Sequence, residues 1–310
     1  MKLLTLTVSF IFIILLFYSF DFSSAHKQEN KISLYGEEKP VTNVKKDEKD
    51  IVTIAIASII SPSESFYKYD YLKKFLENNM NVEINLVQKQ TYQEVNKMLK
   101  NGQVDFGFIC SLSYVLGMKE GYLQGVVAPE IAGSTLYRSY TIVSNDSPYH
   151  SLPDLEEKDF AFADPVSYSG RLSLLIDLNK LKKDANDFFN HIYYTYSHDY
   201  SIKSVAFGVV DGASVDGLLY DAMKQTNPEL ISKTRVIGIG ESTGVPPFVA
   251  SIKTSEEKIL AFKNALLSLD RNEQGRKVLS ELGVDRYVEI NNQNYNNIFY
   301  SLYLLGDAYD

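Results

Sequence analysis

From Ile51 onward the chain alternates short apolar runs with stretches whose apolar residues recur at helical spacing. IVTIAIAS (Ile51–Ser58) is continuously apolar, which predicts a strand buried on both faces. YDYLKKFLENNM (Tyr69–Met80) predicts an amphipathic helix, and NVEINLVQ (Asn81–Gln88) alternates as a second strand. In TYQEVNKMLKNG, Thr91 followed by Glu94 forms a capping-box pattern and Gly102 marks the stop, so both ends of a helix are written in the sequence. VDFGFIC (Val104–Cys110) predicts a third strand, with the following SLSY read as its strand-end loop. The order strand–helix–strand–helix–strand implies an α/β lobe with a mainly parallel sheet.

A second series begins near Tyr137. RSYTIVSND (138–146), DFAFAD (159–164) and HIYYTYS (191–197) predict strands, SIKSVAFGVV (201–210) a helix, and VDGASVDGLLYDAMKQ (210–225) a strand running into a helix. TRVIGIGES (234–242) closes the set. In GVPPFVASI (244–252) the Pro246–Pro247 pair suits an extended crossover better than a helix or a central strand. A helix over 256–269 and a helical tail follow. The pattern therefore predicts two lobes in series: 51–137 plus 245–310, and 138–244. Two crossovers, near 137–143 and 242–250, join them.

The first 25 residues stand apart. Lys2 precedes an apolar run over 3–20 and then Ser23-Ser24-Ala25, the pattern of a secretory signal peptide; an uncleaved N-terminal anchor is the alternative. Residues 26–50 are polar and charged and predict a flexible spacer.

Composition narrows the chemistry. A hydrophobic content of 45 % supplies a large core, and the net charge of -8 argues against nucleic-acid binding, which needs a basic face. The single cysteine, Cys110, lies in an apolar run, so no disulfide forms within the chain and a buried inert thiol is expected. His150, His191 and His198 show no metal-ligand spacing, and neither a metal nor a cofactor is expected.

One stretch invites chemistry: DPVSYSGRLSLLIDL, 164–178, which places Ser167, Ser169 and Gly170 at the mouth of a helix. Serine is a common helix cap, and the same residues at a helix start present hydroxyls and unpaired N–H groups to an anion. Gly170 is read as the point where a ligand oxygen approaches the backbone. A secreted hydrolase using Ser169 and His198 is a third reading, although the first glycine of a G-x-S-x-G elbow is missing.

FAFADPVSYSGRLSLLIDL resembles the signature of the phosphate/phosphite/phosphonate (PhnD-like) substrate-binding proteins of ABC transporters, with Tyr168 where a threonine is usual. Four further segments, at 91–115, 137–165, 196–216 and 240–251, resemble that family in the same order, so the likeness runs over roughly 51–285. It implies a two-lobed periplasmic binding protein-like α/β fold, each lobe a mainly parallel sheet flanked by helices, joined by a two-stranded hinge. It implies that Ser167 and Ser169 donate hydroxyls to an oxyanion, with the N–H groups of Tyr168, Ser169 and Gly170, and that His198 donates from the opposite side. It adds Tyr114, with Ser111 and Ser113 nearby, as first-lobe contacts, Tyr67 or Tyr69 as aromatic neighbours, and Asp216 as a partner for a ligand amine. The expected protein is a monomeric, exported solute-binding protein that passes a small phosphorus oxyanion to an ABC permease. An exported ligand-sensing domain for a membrane receptor is the alternative in the binding class.

Overall fold

The same hydrophobic pattern that predicts two lobes builds two sheets. The computed structural model describes residues 50–57 and 62–306, with the side chains of 62–67 outside the described set. The signal-peptide and spacer expectations lie outside these residues.

The first lobe opens with β1 (Ile51–Ala57), α1 (Pro62–Met80), β2 (Glu83–Lys89), α2 (Tyr92–Asn101), β3 (Phe106–Phe108), α3 (Ser111–Glu120) and β4 (Leu123–Glu130). The short β5 (Leu136–Tyr137) leads into the second lobe: β6 (Ser139–Ser144), β7 (Asp159–Phe162), a π-turn at Tyr168–Leu172 that continues as α4 (Ser173–Lys180), then α5 (Ala185–Phe188) and β8 (His191–Tyr194). That lobe is completed by α6 (His198–Ala206), β9 (Gly212–Asp216), α7 (Gly217–Thr226), α8 (Pro228–Ile231) and β10 (Thr234–Ile239). The chain returns through β11 (Thr243–Gly244) to β12 (Phe248–Ser251), α9 (Glu256–Leu267), α10 (Glu273–Leu282), β13 (Arg286–Val288) and α11 (Asn296–Leu305).

One sheet has the order β2-β1-β3-β12-β4-β13 and the other β8-β7-β9-β6-β10. The two share one plan, in which a strand arriving from the other lobe (β12 or β6) is inserted beside the third strand. The newcomer enters from the hinge end, so it runs antiparallel to its neighbours. The remaining main strands keep the parallel direction that the strand–helix alternation predicts. β5 and β11 pair antiparallel, Thr243 with Tyr137 and Gly244 with Leu136, and make the two-stranded hinge. Pro246 and Pro247 lie in the extended link just after it, where Pro247 C=O accepts from Ile109 N–H.

Two elements differ from the sequence expectation. The predicted helix 201–210 runs instead over His198–Ala206, three residues earlier, with Ser197 at its cap position. The segment read as a strand-end loop around Tyr114 is the first turn and a half of α3, whose residues Ser111–Val115 are all buried. A helix buried all round has no polar stripe, so its period is invisible in the hydropathy pattern.

Where signals are local they hold. Thr91 accepts from Glu94 N–H at 3.2 Å while the Glu94 carboxylate accepts from Thr91 N–H at 3.0 Å, and Gly102 ends the helix in the left-handed region at φ 69°. Among the described residues no helix is long and apolar enough to cross a membrane. Removing the box by Thr91→Ala is expected to lower unfolding stability by about 1 kcal/mol, read as a lower urea midpoint at unchanged slope.

Candidate functional site

β7 carries the segment that builds the site. Its residues Phe160–Phe162 are buried, and at Ala163 the strand gives way to the Asp164–Pro165 turn. Ser167 caps the helical turn that follows, its Oγ accepting from Gly170 N–H at 3.0 Å. The two sequence readings of this serine are compatible: the oxygen accepts as a cap and the hydroxyl proton stays available to a ligand. The turn is π-type, closed by Leu172 N–H to Ser167 C=O at 3.0 Å. It turns the Ser169 carbonyl sideways onto two serines, Ser139 Oγ of β6 at 2.7 Å and Ser214 Oγ of β9 at 2.8 Å.

Alternate residues of this segment face different lobes. Asp164, Val166 and Tyr168 reach toward the first lobe and the C-terminal helix. The Asp164 carboxylate accepts from Tyr92 N–H at the start of α2 (3.2 Å) as well as from Val166 N–H (2.8 Å). The Cys110 thiol donates to Val166 C=O at 3.1 Å, and Asn297 Nδ2 of α11 donates to the Tyr168 hydroxyl at 3.3 Å. The Tyr168 hydroxyl in turn donates to Glu241 C=O at 2.8 Å. That hydroxyl is committed to the hinge side. Ser167 and Ser169 stay with the second lobe.

Gly170 has a reason other than ligand approach. A Cβ there would stand 2.5 Å from Ala163 Cβ and 3.0 Å from His198 Cε1, so the missing side chain is replaced by protein. Its N–H is spent on Ser167 Oγ. The Tyr168 N–H faces the Cys110 sulfur, where burial pushes the thiol up to about 11. Of the three backbone donors expected, those of Gly170 and Tyr168 are thus engaged within the protein.

His198 occupies the first position of α6 and is buried beside Gly170. Its Nδ1 accepts from Asp216 N–H at 3.0 Å, which places the neutral ring's proton on Nε2. Burial holds its pKa down to about 4, so the imidazole is a neutral donor at pH 7. The general base of a Ser/His/Asp triad needs the reverse tautomer, with Nδ1–H on a carboxylate. Asp216 itself caps α7, accepting from Leu219 N–H at 3.0 Å, and burial lifts its carboxyl to about 6.

Ser111 Oγ donates to the hinge carbonyl of Gly244 at 2.6 Å and lies 3.3 Å from the Tyr137 hydroxyl. Tyr137 is buried at the crossover, where burial raises its phenol well above the usual range, with Asp216 the next cause. Tyr137 thus takes the place at the lobe junction that the sequence reading gave to Tyr114. The Tyr114 hydroxyl points elsewhere, donating to Asn292 at 2.7 Å, and its ring packs edge-on against Tyr295. The neighbouring Ser113 Oγ is buried with no hydrogen-bond partner. The side chain of Tyr67 lies outside the described residues, and Tyr69 packs on Phe108 in the first-lobe core. No cluster of His, Cys, Asp or Glu among the described residues could hold a metal.

A family model for phosphonate ABC transporter periplasmic substrate-binding proteins matches residues 54–295. The chain belongs to this family. The phosphate-import protein PhnD of Mycolicibacterium smegmatis is 28 % identical over 141 residues, a match spanning 44 % of each chain. A binding protein component of a Pseudomonas aeruginosa ABC phosphonate transporter superposes with a TM-score of 0.78 at 18 % identity, covering 84 % of this chain and 88 % of that one. PhnD1 of Prochlorococcus marinus, in complex with methylphosphonate, superposes at 0.75 with 17 % identity, covering 83 % and 98 %. These phosphonate-family structures share the two-lobed fold.

Two outcomes test the geometry. For His198 the folded pKa lies below the ordinary histidine value of 6.5, so its contribution to stability is intact above pH 6.5 and is lost as pH falls through about 4. Asp216 runs the other way, from 3.8 to about 6: its contribution is complete below pH 3.8 and is lost as pH rises through about 6. Replacing His198 by Gln is therefore expected to narrow its stability deficit relative to the parent protein as pH falls from 6.5 to 4. Thermal melts across that range check this, and a constant deficit contradicts it. Gly170→Ala is expected to cost about 1–3 kcal/mol by overpacking against Ala163, and to shift the His198 imidazole resonances in an NMR spectrum.

Proposed function

We propose that this protein captures a phosphorus oxyanion of phosphonate, phosphite or phosphate type between its lobes and delivers it to an ABC permease. The observation that supports this is the gathering of neutral hydrogen-bonding residues at one helix start. Ser167 Oγ and the His198 ring, whose Nε2 carries the proton, both border Gly170, Ser169 lies between Ser167 and Gly170 in the chain, and the positive end of the helix dipole stands behind them. Such groups suit a tetrahedral oxyanion, which accepts from several directions at once. The unpartnered Ser113 hydroxyl adds a donor at the N-terminus of α3 on the facing lobe.

The lobes span 51–137 with 245–310, and 138–244, and they close about the β5–β11 pair. Closure is signalled by the buried hydrogen bonds of Asp164, Val166 and Tyr168, which form only when the segment that holds the anion meets α2, α3 and α11. The protein binds and does not transform its ligand: the His198 tautomer serves donation, and the relatives found are transport proteins. It acts outside the cytoplasm as a monomer, exported by its N-terminal signal.

A thermal-shift series with methylphosphonate, phosphite, phosphate and sulfate tests the proposal. A concentration-dependent rise in melting temperature is expected with at least one phosphorus oxyanion, and no response to any of them refutes the reading. Ser167→Ala and His198→Ala are each expected to weaken binding roughly tenfold or more, the worth of one hydrogen bond to a charged group, as read by titration calorimetry.

A further inference from the structure

Beside the cradle lies a cavity of about 390 Å³ whose walls come from both lobes. Gln88, Lys89 and Gln90, at the end of β2, form one side, and Tyr196, Ser197 and Tyr200 form the other. β2 and β8 are the edge strands next to β1 and β7 in their sheets. The cavity therefore sits one strand over from the root of the cradle, about 5 Å across the sheet. The connection is direct on the second-lobe side. Thr195 N–H donates to Phe162 C=O at 3.0 Å, tying this wall to the end of β7, and Ser197 is followed immediately by His198.

The chemistry of the walls is specific. Among the described residues, side-chain amides, serine and threonine hydroxyls and two phenols line it together with one lysine. Asp199, next to His198, is engaged: Lys203 binds it at 2.9 Å and the Ser197 hydroxyl donates to it. Tyr200 stands at the rim, 44 % exposed, with the Lys203 ammonium 5.2 Å from its ring centroid. Tyr196 holds a left-handed backbone at φ 54°, a conformation that a residue with a side chain adopts at a cost of roughly 1–3 kcal/mol. Planar amides that donate and accept together, set opposite aromatic rings, match the alternating hydroxyls and C–H faces of a polyol or sugar. The volume lies within the usual range of small-molecule sites, roughly 300–1,000 Å³, and is more than a methyl or hydrogen substituent needs.

We infer that the ligand is a phosphorus oxyanion carrying a polyhydroxylated substituent of about sugar size, the oxyanion in the cradle and the substituent between Gln88–Gln90 and Tyr196–Tyr200. This rests on the oxyanion reading above and sharpens it to a ligand class.

Titration calorimetry of the purified protein with ribose 5-phosphate, methylphosphonate and 2-aminoethylphosphonate separates the two levels. Ribose 5-phosphate is expected to bind about tenfold or more tightly than either phosphonate. Gln88→Ala and Tyr200→Ala are expected to remove most of that advantage while leaving methylphosphonate affinity unchanged. If methylphosphonate binds and ribose 5-phosphate binds no better, the substituent assignment falls and the oxyanion cradle stands. The assignment also falls if 2-aminoethylphosphonate is preferred, or if the two variants weaken all ligands equally. If none of the three binds, both readings fall.

Discussion

The structure depends on how one short segment after β7 satisfies its backbone in two directions. A strand that ends and a helix that begins within a few residues leave several N–H and C=O groups without regular partners, and burying such groups unpaired costs about 1–3 kcal/mol each. Between Asp164 and Gly170 backbone and side-chain groups are met alternately. On the first-lobe side Cys110 meets the Val166 carbonyl, and Tyr92 and Asn297 meet the side chains of Asp164 and Tyr168; on the second, Ser139 and Ser214 meet the Ser169 carbonyl and Ser167 the Gly170 N–H. The segment is both the floor of the site and the seam between the lobes.

Shared sheet topology explains why the seam lies where it does. Both sheets point their parallel strands at the cleft, and each accepts one strand arriving from the other lobe. The ends of β7 and β9 in one lobe, and the starts of α2 and α3 in the other, therefore converge on the hinge pair β5–β11. Tyr137 stands at this crossing, close to Ser111 on one side and electrostatically coupled to Asp216 on the other.

What the sequence disclosed followed how local each signal is. The α2 helix was legible to its ends because Thr91, Glu94 and Gly102 each act within a few residues of themselves. The capped helix start at Ser167 was legible because the cap and the Gly170 N–H it accepts from lie within one turn. Tyr137, Ser139, Ser214 and Asn297 were not, since each reaches the segment from 30 to 130 positions away and nothing in its own neighbourhood marks it. Tyr114 was assigned to the cleft by the resemblance of its segment to the family; in the structure it is the fourth residue of a buried helix, and its hydroxyl turns toward Asn292. The role of Gly170 was misread for a related reason. A glycine announces a close approach but not what approaches, and here it is Ala163 and His198.

His198 carries a consequence beyond its hydrogen bond. Its tautomer is fixed by Asp216 N–H and its charge is suppressed by burial, so at neutral pH it offers its surroundings a dipole and not a cation. Attraction between full charges across solvent weakens as salt rises, with a screening length of about 10 Å at 0.1 M. Short contacts to an oriented, buried neutral donor are nearly indifferent to it, so what this imidazole donates keeps its strength in fresh and in saline surroundings.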